Sequence, residues 1–307
     1  MPEGNSFFSL GNLGDLTKPA TVLIEKIFDV LGGYFRPRQI RRLAKAEAEA
    51  EIIKAQTGIE VADIQRRALN RWVAEETKKQ DNIERITQKA IPQLEESSNP
   101  QNIEDDWIVN FFDKCRIISD DEMQSLWARV LAGEANSPGT YSKRTVNFLS
   151  YLDKKDANLF TTLCGFGWFI SLGSRFGDVV PLIFNIHHKI YNDKGINFDQ
   201  LQHLDTLGLV TFNNMATLQY TEIPKWIIVF YYGTPLNIEF NKDTNFPIGT
   251  IQLTQIGQQL APICGSEPVE SFLEYVVEQW RQQGLILSSL YPRRTGPKGL
   301  KSIFILP

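Results

Sequence analysis

The period of the apolar positions divides the chain. From Thr17 onward, Leu23, Ile27, Val30, Leu31 and Tyr34 recur at helical spacing, with Thr17 placed to cap and Pro19 in the first turn, where its missing N–H costs little. Gly32 and Gly33 stop this helix, and the basic run RPRQIRR, 36 to 42, leads into a second one. That second helix opens with RRLAKAEAEAEIIKAQT, 41 to 57, and keeps its spacing through Ile59, Val61, Ile64, Leu69 and Trp72 to Lys79. A bend or break is expected at Gly58, since glycine costs roughly 1 kcal/mol relative to alanine inside a helix. A separate helix is predicted over 80 to 96, ended by the polar stretch SSNPQN. Trp107, Phe111 and Phe112 then face inward on a short helix, and Ser119 with Glu122 reads as a capping box ahead of Met123, Leu126, Trp127 and Leu131. Asn136-Ser137-Pro138-Gly139 breaks the chain before a helix bearing Val146, Leu149 and Leu152.

The pattern changes after Asp153. Helical segments are expected over 159 to 172 and 179 to 191, then an amphipathic helix through Leu201, Leu204 and Leu207, closed by Gly208 before a strand at Leu209. The β-rich runs LQYTEI, KWIIVFYY, LNIEF and TIQLT follow, then a short helix that Thr254 can cap. Helices followed by a β-ribbon have the layout of a winged helix. Residues 266 to 283 form a last helix with Phe272, Tyr275, Val276 and Trp280 in register, and LILSSLYP and SIFILP frame a hairpin. The predicted fold class is mainly α with a smaller α+β part. It comprises a helical domain over 1 to 153, a winged-helix-like domain over 154 to 265, and a C-terminal helix and β-hairpin over 266 to 307.

Composition narrows the function classes. With 307 residues, 42% hydrophobic and 22% charged, the chain is long enough for two domains that each bury a core. Its formal net charge of -4 supplies no global field for DNA or RNA, so nucleic acid is not favoured as a partner. Cys115, Cys164 and Cys264 are far apart in sequence and form no CxxC pair, which argues against a zinc ribbon or a disulfide framework and for a reducing cytosol. The start, MPEGNSFFSLGNLGDL, lacks the basic segment and apolar core of a secretory signal. The uncharged run 157 to 174 approaches the length of a membrane span, but its polar and glycine residues favour a buried core helix.

Catalytic signatures are missing from this pattern. His187 and His188 are adjacent and so point to different sides of a helix, and His203 stands apart, which does not suit a metal site. No GxGxxG, GxxxxGK[ST] or GxSxG motif occurs, and each cysteine sits in apolar surroundings that favour an inert thiol. No cofactor or metal is expected, and the chain reads as a non-enzyme.

Two features could carry function. The basic clusters Arg36, Arg38, Arg41 and Arg42, and Arg293, Arg294, Lys298 and Lys301, could contact phosphate in lipid or nucleic acid, or could be solvated corners. In the helix over 41 to 57, Ala44, Ala48 and Ala55 share a face with Ile52, and Ala46 and Ala50 share another with Ile53. Small side chains let helices approach closely, so these faces are the expected interface of a homo-oligomer, against the plainer reading of one helix in a monomeric bundle.

The segments 16 to 56, 120 to 160, LQHLDTLGLV and IQLTQIGQQLAPI resemble, in this order, the uncharacterised bacterial family catalogued as domain of unknown function 2806. More distantly they are similar to the abortive-infection alpha proteins of bacteria. LWARVLAGEANSPGTYSKRT, 126 to 145, is the most specific element. The resemblance implies a prokaryotic protein with a role in defence against phage, and it brings no catalytic residues. The expectation is a cytoplasmic sensor or assembly component, peripheral to the inner membrane at most, that oligomerises, recognises protein through its winged-helix part and works with a second protein of a defence operon. The alternatives are a DNA-binding transcriptional regulator using the loop from Arg293 to Lys301, and a membrane-associated effector using the first amphipathic helix.

Overall fold

The computed structural model describes residues 17–32, 59–172, 177–240 and 245–289, with the side chains of 59–62 and 289 left aside. Two compact units divide the chain, Met1–Tyr151 and Leu152–Pro307. Helices dominate, with a smaller sheet part, and the described strands all lie in the second unit.

The first unit contains α1 (18–32), α2 (Ile59–Ala90), α3 (Asp105–Cys115), α4 (Asp121–Asn136) and α5 (Lys143–Leu149). Ala20, Leu23 and Ile27 bury the apolar face of α1, and α2 packs chiefly on α4 while α3 packs on α5. Aromatic rings fill the centre: Trp107 stacks on Phe111 with centroids 5.0 Å apart, and Trp127 meets Phe111 edge-on at 5.1 Å. Such pairs add about 1 kcal/mol beyond the area they bury. Buried polar groups are tied together as well. Gln124 donates through Nε2 to the Ile118 carbonyl and to Asn82 Oδ1, and Asn82 donates to the Arg116 carbonyl.

Two local expectations change here. The helix predicted over 80 to 96 is the second half of α2, one rod of 32 residues, roughly 48 Å long at 1.5 Å per residue. No Gly or Pro interrupts it near Lys79, and the pairs Lys79–Glu76 and Gln80–Glu84 stitch across the expected break. Pro92 lies just beyond its end, in a short 3-10 turn. The cap of α4 is Asp120 rather than Ser119: Asp120 Oδ1 accepts from the backbone N–H groups of Glu122 and Met123. A carboxylate at that position also favours the positive end of the helix dipole.

The second unit opens with α6 (Lys154–Cys164), then β1 (Gly167–Ile170) and β2 (Asp178–Pro181). Short α7 (Lys189–Asn192), α8 (Phe198–Leu207) and β3 (Val210–Phe212) follow. Next come β4 (Leu218–Tyr220), β5 (Trp226–Tyr231), β6 (Thr234–Glu239), β7 (Phe246–Gly249) and β8 (Ile251–Leu253). The unit closes with α9 (Gln255–Leu260), α10 (Phe272–Gln282) and β9 (Ile286–Ser289). An antiparallel five-stranded sheet runs β2-β1-β5-β6-β9, and β3 pairs with β8 and β4 with β7. Fully buried Trp168, Trp280, Phe246 and Phe272 form the core on which 154–265 and 266–289 both converge: Trp168 meets Trp280 at 5.0 Å, and Phe166 meets Phe272 at 4.9 Å.

Of the helices expected over 159 to 172 and 179 to 191, the first holds as far as Cys164 and then gives way to a strand, and the second begins as a strand and is helical only at its end. α6 ends at Cys164, and Gly167–Ile170 pairs with both β2 and β5. A short apolar run has the same composition in a buried strand as in a buried helix, so spacing does not separate them. Val179 and Val180 suit the strand, and only Lys189–Asn192 of the second segment is helical. Of the expected C-terminal hairpin, the first arm is β9, which pairs with β6 from Leu236↔Ser289 to Glu239↔Ile286. The other arm lies outside the described residues. Among those described, no helix is long and apolar enough to cross a membrane.

Candidate functional sites

The sequence-predicted assembly residues Ala44, Ala46, Ala48, Ala50, Ile52, Ile53 and Ala55 lie outside the described residues, as do Arg36, Arg38, Arg41, Arg42, Arg293, Arg294, Lys298 and Lys301. The structure instead brings forward three other places: one half of α2, the loop after α4, and a pair of cysteines.

The apolar residues of α2 are buried in its C-terminal half and largely exposed in its N-terminal half. Ile86 and Ala90 are fully buried in the first unit, and Lys89 anchors that end through bonds to Asp121 Oδ1, the Asp121 carbonyl and Ser125 Oγ, all between 2.6 and 2.9 Å. Toward the N-terminus the side that carries Ile86 passes through Asn82, Lys79 and Glu75 before it reaches Trp72, Ala68 and Ile64, and Leu69 and Val73 lie on a different side of the helix, roughly 100° to 140° around from Ile86. There Ile64 is 59% exposed, Leu69 49% and Val73 49%. Around them run ion pairs within the helix, Arg67–Asp63, Arg66–Asp63 and Arg71–Glu75. Exposed pairs of this kind contribute at most about 0.5 kcal/mol each, so charge does not explain why apolar side chains stand in water.

The most specific stretch of sequence, 126 to 145, proves to be a packing device. Trp127 and Leu131 are fully buried, and Glu134 turns its carboxylate back onto the following loop, where Oε1 accepts from Gly139 N at 2.7 Å and Oε2 from Tyr141 N at 2.8 Å. Burial lifts the Glu134 carboxyl above the ordinary carboxylate range, against the pull of those N–H groups. The Tyr141 carbonyl accepts from Trp107 Nε1 at 2.7 Å, and a Cβ at Gly133 would lie 2.7 Å from the Tyr141 ring. Ser142 then caps α5 by accepting from Thr145 N. Glu134, Gly133, Tyr141 and Ser142 thus hold the turn between α4 and α5, while Trp127 and Leu131 fill the core.

In the second unit, Cys164 ends α6 and Cys264 follows α9, and the fold draws them together. Thr161 Oγ1 donates to the Cys264 carbonyl at 3.2 Å, one turn of helix before Cys164. Tyr232 Oη is 3.2 Å from the Cys164 carbonyl and 2.6 Å from Ser266 Oγ. Its neighbour Tyr231 donates to the Gly165 carbonyl at 2.8 Å and accepts from Val269 N at 2.7 Å. Tyr232 has φ of 46° and Gly233 φ of 78°, the positive values that a two-residue type I′ turn between β5 and β6 requires. A tyrosine costs about 1 kcal/mol or more in that conformation, so its hydroxyl contacts hold it there. The two thiols share a hydrogen bond; this bond first of all draws the Cys264 thiol down to about 7, whereas burial pushes Cys164 well up. Sequence reading missed this pair because 99 residues intervene.

The histidines have structural partners. His203 Nε2 lies 2.8 Å from Asp156 Oδ1, and His188 stacks on Tyr275 at 4.5 Å while its Nδ1 accepts from Ile190 N to cap α7. Among the described residues no group of three His, Cys, Asp or Glu is placed to hold a metal ion.

Residues 66–277 match the family described as protein of unknown function, DUF2806. No curated protein and no solved structure matches the chain.

Proposed function

The chain belongs to the DUF2806 family, whose description carries no activity, and on that premise we propose that it is a non-enzymatic assembly component, joined copy to copy through the N-terminal half of α2. The observation that carries this reading is the exposure of Ile64, Leu69 and Val73 in the N-terminal half of α2, while its C-terminal half is buried in the first unit. A second copy of the same helix is the natural cover. Such a pair is isologous, the same patch on both copies. The interface expected at the alanines over 41 to 57 belongs to the same proposal.

The second unit serves recognition as a winged-helix-like module. Its support is the order α6, then β1 and β2, then α7, α8 and the ribbon β3–β8, with Ile183 bridged to Gly249 at the end of β7. The strands β4 to β7 stand as an insertion within the wing. The helix α8 carries Asp199 and Asp205 and no Lys or Arg, so its partner is a protein rather than a phosphate backbone. The cellular setting we assign, a cytoplasmic phage-defence system with a second operon-encoded protein, rests on the likeness to abortive-infection alpha proteins alone.

The mass of the full chain in solution tests the assembly reading. Light scattering at micromolar concentration should give an oligomer, and Leu69→Glu with Val73→Glu should lower its mass while leaving helical circular dichroism unchanged, because both positions are exposed. A monomeric wild-type protein sinks the reading.

A further inference from the structure

Cys164 and Cys264 come from segments 100 positions apart in the chain, yet both are held by side-chain bonds to backbone. Thr161 fixes the Cys264 carbonyl, Tyr232 contacts the Cys164 carbonyl and Ser266, and Tyr231 ties Gly165 to Val269. Each of these contacts joins or braces the end of α6 and the stretch 264 to 269, so the approach of the two cysteine-bearing segments is built into the fold. The cysteines differ in surroundings: Cys164 is buried and Cys264 is partly exposed, with its Sγ 3.2 Å from the Ala261 carbonyl. Cys115, the remaining cysteine, is buried in the first unit.

We propose that Cys164 and Cys264 are an oxidation site, a dithiol that closes to an intrachain disulfide, with Cys264 as the attacking thiol, Cys164 as the resolving one and a hydroperoxide as the oxidant. The Cys264 thiolate attacks one peroxide oxygen; an S–O bond forms, the O–O bond breaks, and the leaving oxygen takes a proton to depart as water or alcohol. Cys164 then attacks the sulfenic sulfur of Cys264. The S–S bond forms, the S–O bond breaks, and the hydroxyl leaves as water with the proton from Cys164. Two thiols lose two electrons and the peroxide gains them. The hydrogen bond from Cys164 favours the thiolate at Cys264, which is the form that reacts. The shared hydrogen bond places the resolving sulfur next to the one oxidised first, so the sulfenic acid is consumed before further oxidation. Closure cross-links the end of α6 to the connection between α9 and α10, a loop long enough for the bond to restrain the unfolded chain strongly.

The test treats the full-length reduced protein with hydrogen peroxide, blocks remaining thiols with iodoacetamide and maps non-reduced peptides by mass spectrometry. The expected product is one peptide pair joining Cys164 to Cys264, two hydrogens lighter than the separate peptides and reopened by dithiothreitol, with Cys115 alkylated as in untreated protein. Cys164→Ser should accumulate a dimedone-reactive sulfenic acid at Cys264, and Cys115→Ser should cross-link as the wild type does. On the untreated wild type, alkylation of Cys264 near neutral pH should run about tenfold faster than for an ordinary thiol, and its rate should level off above pH 7 rather than above the ordinary thiol range. Sulfenic or sulfinic acid at Cys264 of folded wild-type protein without the Cys164 link, or links only between chains, would overturn the proposal.

Discussion

The two units solve the problem of organising a core differently. In the first, helices pack on one another, α2 on α4 and α3 on α5, and many of the bonds that fix their turns and caps span few residues: Glu134 to Gly139 and Tyr141, Asp120 to Met123, Ser142 to Thr145. In the second, the central sheet places β1 beside β5 and β6 beside β9, and Tyr232 holds groups that are 68 and 34 positions away. Local closure leaves a signature in a short stretch of sequence. Long-range closure makes sites, such as the Cys164–Cys264 pair, that no short stretch contains.

Five substitutions would sharpen or break this contrast. The largest effect is expected from Trp127→Ala in the helical unit, roughly 3 to 5 kcal/mol in a urea melt, since the ring is fully buried and packs edge-on against Phe111. A loss well under 1 kcal/mol would mean the helical unit does not depend on its aromatic centre. Next comes Glu134→Ala, at about 2 to 4 kcal/mol, because two backbone N–H groups lose their acceptor.

The same residue predicts a pH dependence with a definite sign. Burial raises the Glu134 pKa in the folded state, so its protonation favours folding. That contribution is complete below the unfolded carboxylate pKa and is lost as pH rises through the raised folded value. Glu134→Gln should therefore flatten this part of the stability curve between acid and neutral pH. A variant whose curve stayed parallel to that of the wild type would show that Glu134 does not titrate abnormally.

In the sheet unit, Tyr232→Phe should cost about 1 to 2 kcal/mol in the same melt, from the loss of the hydroxyl contacts to the Cys164 carbonyl and Ser266. No change there would mean that the turn, rather than the hydroxyl, holds the two segments together. The smallest effect belongs to Arg71→Ala on the exposed half of α2. Folding should move by no more than about 0.5 kcal/mol, since the pair with Glu75 is solvent-exposed. A larger loss of stability that grows with protein concentration would instead locate Arg71 in the interface between copies.

How much could be read in advance follows from the same difference. Helical spacing placed Trp107, Phe111, Phe112, Trp127 and Leu131 in the core, and all are buried there. Thr254, read as a cap for the short helix after the β-rich runs, accepts from Gly257 N as expected. Parts of two expected helices became strands because Trp168 to Ile170 and Val179 to Pro181 are short apolar runs, in which helix and strand have the same pattern. Deciding between them took a partner, and β5 arrives only after β3 and β4.

The motif LWARVLAGEANSPGTYSKRT stood out in sequence, but its purpose did not: only the folded loop shows Glu134 accepting from Gly139 and Tyr141 and leaving Gly133 no room for a side chain. By itself the sequence determined what depends on neighbours within about one helical turn, namely the amphipathic faces, the caps and the mainly helical character of the chain. The tertiary structure decided which apolar runs become strands, which face of α2 is left uncovered and which cysteines meet. Those outcomes depend on contacts between residues far apart in the chain, and chain closure, unlike periodicity, has no local code.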